Sequence, residues 1–193
     1  MKKEVLRTFH GDIHKLSSDF ADVIPDADII FLCMPVHQYR NALVKLAPFV
    51  SRSKKEVFIG TIYGQAGFNW MVHDIVEKQH GYNNVVVFSI GLIPWICRAE
   101  VYGSYGINYG GKQVNICAIT PPDRFDHLNE IFLKDISYTQ LGYGHFVQAC
   151  SFISLTLSVD NQIIHPSRMV SASGERLLSG SQRSTISNFD CPL

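Results

Sequence analysis

No run of apolar residues in this 193-residue chain reaches the ~18 that a membrane-crossing helix needs, so no membrane association is expected. An excess of charge is missing as well. The 17 basic and 17 acidic side chains cancel, which leaves no electrostatic footprint for nucleic acid. Five cysteines (Cys33, Cys97, Cys117, Cys150 and Cys191) include no CxxC pair and are odd in number. They read as reduced thiols, mostly buried, and not as a disulfide framework or a zinc site. Lys2 and Lys3 open the chain without the apolar core or cleavage site of a secretory signal, and a cytoplasmic location is expected. Internal repeats are lacking. So is the fingerprint GxGxxG after a first strand, because Gly103-Ser-Tyr-Gly106 and Gly142-Tyr-Gly144 are too sparse and stand in the wrong context.

What is present is enough apolar matter for a core: 46% of residues are hydrophobic and 18% charged. The organising stretch is Asp26-Ala-Asp-Ile-Ile-Phe-Leu-Cys-Met-Pro-Val36. Residues 29–34 are apolar without alternation, as suits a strand covered on both faces. After Pro35 the period becomes helical, with Tyr39, Ala42, Leu43, Leu46 and Phe49 on one face of a helix over 37–50. Residues 55–62 predict a second strand. Residues 68–80 predict a second helix with Phe68, Met71, Val72, Ile75 and Val76 as its apolar face, and 85–90 a third strand. The order β-α-β-α-β implies parallel strands with right-handed crossovers, and ligands of such sheets sit at the carboxyl ends of the strands.

The flanks read differently. Residues 5–16 alternate loosely and predict a short hairpin, and 17–25 predict a helical turn capped by Ser18 or Asp19. A proline-broken loop at 91–98 leads into an antiparallel pair over 99–120, turning at Tyr109-Gly110-Gly111-Lys112. A helix over 123–133, a strand over 136–141 and a buried helix over 150–159 follow. From residue 170 serines replace the apolar pattern, and 170–193 reads as disordered. The fold class expected is α/β: a Rossmann-like, mostly parallel sheet lacking its first strands, with a small antiparallel extension and the start of an α-helical domain. The divisions expected are 1–148, a partial Rossmann-like domain; 149–169, a helical start; and 170–193, the divergent tail.

Four segments resemble the opine dehydrogenase family, the octopine and nopaline dehydrogenases: DADIIFLCMPVHQYRNALVKLAPFV, GTIYGQAGF, IPWICRAEVYG and DNQIIHPSRM. They occur in family order between about Ser18 and Met169, and IPWICR and the His165-Pro166 pair are the more specific. ADIIFLCMPV alone also resembles ketopantoate-type and other 2-hydroxy-acid reductases. The resemblance implies that a first strand with its glycine loop, and a large helical domain, belong with this segment, so that 1–148 is a partial NAD(P)-binding domain and 149–169 the start of the helical substrate domain. It also implies an activity, in which NAD or NADP in its reduced form reduces the imine formed between a 2-oxo acid such as pyruvate and an amino acid.

By that resemblance His165 is the candidate acid–base residue, an imidazole being suited to proton transfer near neutral pH. Gln65 would hold the oxo-acid carboxylate. Asn161, four residues before His165, and Arg98 are further substrate candidates. Met34, Pro35 and Val36 would line the cofactor. Each has a plainer reading: helix-end packing for His165, a loop hydrogen bond for Gln65, an N-cap for Asn161, a surface ion pair for Arg98, and core and turn for residues 34–36. Leu92 stands where the family often has a hydroxyl residue. Two other functions stay open, a non-catalytic Rossmann remnant that binds a partner or itself through an exposed sheet edge, and a ketopantoate-type reductase relative.

Overall fold

The structure is a computed structural model that describes residues 8–50, 55–139 and 144–158. The chain divides into two compact units, Met1–Thr156 and Leu157–Leu193, and nearly everything described belongs to the first. Its centre is a sheet of five strands in the order β1 (Ile29–Leu32), β2 (Val57–Thr61), β3 (Val85–Ile90), β6 (Val114–Thr120) and β7 (His145–Gln148), beside a separate two-stranded sheet of β4 (Trp95–Val101) and β5 (Tyr105–Gly111). Strands β1 (Ile29–Leu32), β2 (Val57–Thr61) and β3 (Val85–Ile90) are parallel, with Ile30 opposite Ile59 and Ile59 opposite Val87. Every residue of β2 and β3 is buried, because layers cover both faces and leave no face for polar alternation. The fold is thus the Rossmann-like α/β class expected.

One covering layer is helix α1 (Tyr39–Val50), entered through a 3-10 turn at Val36–Gln38, together with helix α2 (Phe68–Val72), which continues as a π-helix over His73–Gln79. Tyr39, Leu43, Leu46 and Val50 of α1 pack with Phe68, Val72, Ile75 and Val76 on Ile30, Leu32, Ile59 and Val87. The other layer is one helical stretch: α3 (Phe125–Leu128), a π-helix over Asn129–Leu133, and α4 (Lys134–Thr139). Its Leu128, Leu133 and Ile136 meet Phe58, Val86, Phe88 and Ile119. The ring of Phe88 lies so close over β2 that a methyl group on Gly60 would stand 2.2 Å from it. Only glycine fits beneath that ring.

Several expectations are corrected. Residues 8–16 form no strand, so the hairpin expected over 5–16 is absent from its described part. The helical turn after it is real but short, Phe20–Asp22, and Asp19 caps it by accepting from the Ala21 N–H at 2.9 Å. The antiparallel hairpin begins earlier than its prolines suggest: β4 (Trp95–Val101) pairs with β5 (Tyr105–Gly111), turning at Gly103 with φ +71°. Residues 109–112 therefore end β5, and β6 (Val114–Thr120) joins the main sheet antiparallel to β3.

Over 136–139, the described part of the strand expected at 136–141, the chain is instead helix α4, and β7 (His145–Gln148) lies parallel to β6. The π-helix explains the misreading. It widens the interval between Leu128 and Leu133 to five residues, which hides the helical period. Helix α5 (Phe152–Leu157) buries Leu155 alone, so the apolar run over 150–159 is mostly uncovered in its described part. Cys117 is buried, but Cys33, Cys97 and Cys150 are exposed, contrary to the burial expected of them. Cys191 and the tail over 170–193 lie outside the described residues, and no described helix is long and apolar enough to cross a membrane.

Candidate functional site

The three parallel strands end in one row, Leu32 opposite Thr61 and Thr61 opposite Ser89. Beyond the row come Met34-Pro35-Val36, the Tyr63–Gly67 loop and Gly91. Strand β6 starts at this same end, because Ile90 faces Cys117 and the Gly91 N–H donates to the Ile116 carbonyl at 2.8 Å. Four elements thus deliver their ends to one rim.

The rim is fixed from inside by Tyr39, which is fully buried. Its hydroxyl donates to the Tyr63 carbonyl at 3.0 Å and lies 2.6 Å from Thr61 Oγ1, which reaches the Leu32 carbonyl at 3.1 Å. Burial raises the Tyr39 phenol above its ordinary range, partly offset by the Thr61 hydrogen bond. The network holds the end of β1 to the loop after β2. Met34 and Val36 are half-buried against this core and Pro35 is exposed, which makes a small apolar ledge after β1.

The loop after β2 is strained where it turns. Ala66 has φ +58° and Gly67 φ +68°, two successive left-handed residues that aim the chain into α2. For a residue with a Cβ this costs about 1 kcal/mol. Gln65, just before them, is 6% exposed, and its backbone N–H donates to the Tyr63 carbonyl at 2.9 Å. Its side-chain Nε2 has no partner. A buried donor without an acceptor is costly and calls for an explanation.

Two more residues share this condition. Ser89 Oγ, and both Nδ2 and Oδ1 of Asn115, are buried without a hydrogen bond. Among the described residues, the buried unpartnered side-chain atoms therefore all belong to β2's loop, the end of β3 and the start of β6. Ser89 and Asn115 were missed in the sequence, where each reads as one polar residue in an apolar strand. The polar exceptions within buried strands were the available signal.

The other sequence candidates are not gathered here. Arg98 is exposed on β4 opposite Ile107 and forms no ion pair among the described residues. Asn161 and His165 lie outside the described residues. No three metal-ligating side chains cluster among the described residues.

No family model matches the chain. It is 24% identical over 97 residues to an opine dehydrogenase of Haliotis discus hannai, covering 50% of this chain and 23% of that protein. An uncharacterized protein of Sinorhizobium fredii, y4xO, is 23% identical over 169 residues, which is 83% of this chain and 40% of that one. Among solved structures, octopine dehydrogenase with NADH and L-arginine superimposes with a TM-score of 0.54 at 20% identity, over 72% of this chain and 32% of that chain. GDP-mannose dehydrogenase from Pseudomonas aeruginosa gives 0.58 at 12% identity, over 81% and 36%. The chain spans less than half the length of each of these proteins. It is similar to the opine dehydrogenases in sequence and shares with octopine dehydrogenase a Rossmann-like fold.

Proposed function

We propose that this chain is the sheet-end portion of an oxidoreductase of the opine dehydrogenase type, which joins a 2-oxo acid such as pyruvate to an amino acid. The observation that carries the reading is Gln65, buried on the strand-end rim with an Nε2 donor that has no acceptor among the described residues. A carboxylate is the natural complement of such a donor, and a charged acceptor strengthens the bond.

The rim also fits half of a nicotinamide cofactor. Met34, Pro35 and Val36 form a ledge of the apolar kind that a flat ring rests on, whereas the sequence holds no glycine fingerprint for the pyrophosphate. Bound NADH or NADPH supplies the hydride that reduces the imine of the two substrates. Gln65 holds the oxo-acid carboxylate, which fixes the face of the imine presented to the ledge. His165 carries the proton that the imine nitrogen takes up, with Asn161 and Arg98 steering the amino acid. Residues 1–148 serve the cofactor and 149–169 open the substrate domain.

The test is titration of the purified chain with NADH, followed by nicotinamide fluorescence, and then with pyruvate. Saturable NADH binding that persists in Gln65→Ala, with pyruvate binding lost in that variant, supports the assignment. A folded chain that binds neither up to millimolar concentration overturns it.

A second reading rests on β1. Among the described residues this strand is paired on one side only, yet its residues are apolar toward both faces, with none of the charges or prolines that protect an edge. It would have the chain self-associate through that edge without catalysis. Concentration-dependent dimerisation in sedimentation, without nucleotide binding, would favour it.

A further inference from the structure

We infer that Ser89 is a second binding residue of the oxo-acid subsite, and that Leu155 of α5 is its removable cover. The inference rests on the functional reading above and adds a residue and an element that no sequence motif marks.

Ser89 is the polar interruption of β3, fully buried, with no partner for its Oγ among the described residues. It lies against Gly64, the residue before Gln65. A methyl group on Gly64 would stand 2.5 Å from Ser89 Cβ and 2.8 Å from Leu155 Cδ2. The Gly64 N–H donates to the Ile90 carbonyl at 2.7 Å, so the loop is bonded to the end of β3 at this point. Glycine is needed there because two neighbouring chains meet over it. Gly64 thus packs on Ser89 and is followed in the chain by Gln65, so the two residues with unsatisfied donors sit on neighbouring elements at the ends of adjacent parallel strands.

Leu155 is the part of α5 that reaches this point. Leu155 is the one buried residue of α5, helped by a half-buried Phe152, while Ile153 is 60% and Leu157 80% exposed. Covered, the site buries donors that have no acceptor. Uncovered, the same donors meet a carboxylate or an oxo group. A small 2-oxo acid offers both kinds of acceptor on adjacent carbons, and a hydroxyl beside a primary amide is a matching donor pair. Binding therefore competes with Leu155 for the Gly64 surface, and the unsatisfied donors bias that competition toward the ligand.

The test is isothermal titration of pyruvate into the purified chain with saturating NADH, for the wild type, Ser89→Ala, Leu155→Ala and Gln65→Ala. The result expected is a weakening on the order of tenfold in Ser89→Ala, the size of one hydrogen bond to a charged acceptor. Its melting temperature should be unchanged or higher, since the lost hydroxyl bonds nothing in the free protein. Leu155→Ala should bind at least as tightly as wild type. Equal affinity of wild type and Ser89→Ala would mean that Oγ serves at most a buried water, and overturns this inference. If Gln65→Ala still loses binding, the functional reading survives that outcome. Absence of pyruvate binding in both the wild type and Leu155→Ala overturns the two together.

Discussion

The hydroxyl oxygens of Tyr39 and Thr61 stand 2.6 Å apart in the fully buried interior, between helix α1 and strand β2. Tyr39 donates its proton to the Tyr63 carbonyl, and the single Thr61 proton is divided between the Tyr39 hydroxyl and the Leu32 carbonyl. Each residue alone satisfies a strand-end carbonyl, and together they lock the rim that carries Met34 and Gln65. Tyr39→Phe and Thr61→Val should each cost about 1–2 kcal/mol in urea denaturation. The double variant should cost less than their sum, because the contacts are shared. Additive losses would show that the two hydroxyls act separately.

Gly60→Ala should be severely destabilising. The new methyl would meet the Phe88 ring at 2.2 Å, and that ring cannot retreat, stacked as it is 5.7 Å from Phe31 and held edge-on by Phe132 at 6.0 Å. Overpacking of this kind costs roughly 1–3 kcal/mol or more. A compensating Phe88→Leu in the same chain should recover part of the loss. Thermal melting of the single and double variants decides it.

Asn115→Val should raise stability. Asn115 is 3% exposed in β6 with both polar side-chain atoms unpartnered. Replacing them by a strand-favouring apolar side chain of similar size removes a penalty of about 1–3 kcal/mol. A fall in the denaturation midpoint would mean that the amide has a partner in solution.

The thiols should sort by burial. Burial pushes Cys117 from 9.0 up to about 12, and raises Cys33 and Cys97 more mildly. Under native conditions a thiol reagent should label Cys33, Cys97 and Cys150 and leave Cys117 untouched until the chain unfolds, read by peptide mass mapping. Above pH 9 the unfolded Cys117 thiol ionises while the folded one stays protonated. Unfolding then releases a proton, so this residue's contribution to stability is full below about 9 and falls as pH rises toward about 12. Cys117→Ala should flatten that alkaline limb.

Ala66→Gly should stabilise the loop before α2 by about 0.5–1 kcal/mol, since glycine takes φ +58° without a Cβ clash. If the strain serves ligand binding, the gain in melting temperature will come with weaker pyruvate affinity. A drop in melting temperature would show that Ala66 contributes packing that outweighs its strain.

The sequence by itself determined the three parallel strands, the helices between them and the end of the sheet where a ligand would sit. Uninterrupted apolar runs such as Ile29–Leu32 and Val85–Ile90, and the helical spacing of Tyr39, Ala42, Leu43 and Leu46, are local signals that burial reads directly. Only tertiary structure decided the rest. Ile136 has strand-like neighbours yet is helical, because the π-helix before it carries the apolar face onto Phe58 and Phe88. β6 left its apparent hairpin partner because pairing with β3 buries Cys117 and Ile119, which an isolated two-stranded ribbon cannot do. The same holds for the rim. Gln65 stood out in its loop, but that its amide is buried and unpaired, and that Ser89 on the neighbouring strand is in the same state, depends on the loop closing onto β3, where Gly64 packs against Ser89 and Leu155. Such closure is a relation among residues far apart in the chain, and no spacing along it records that they meet.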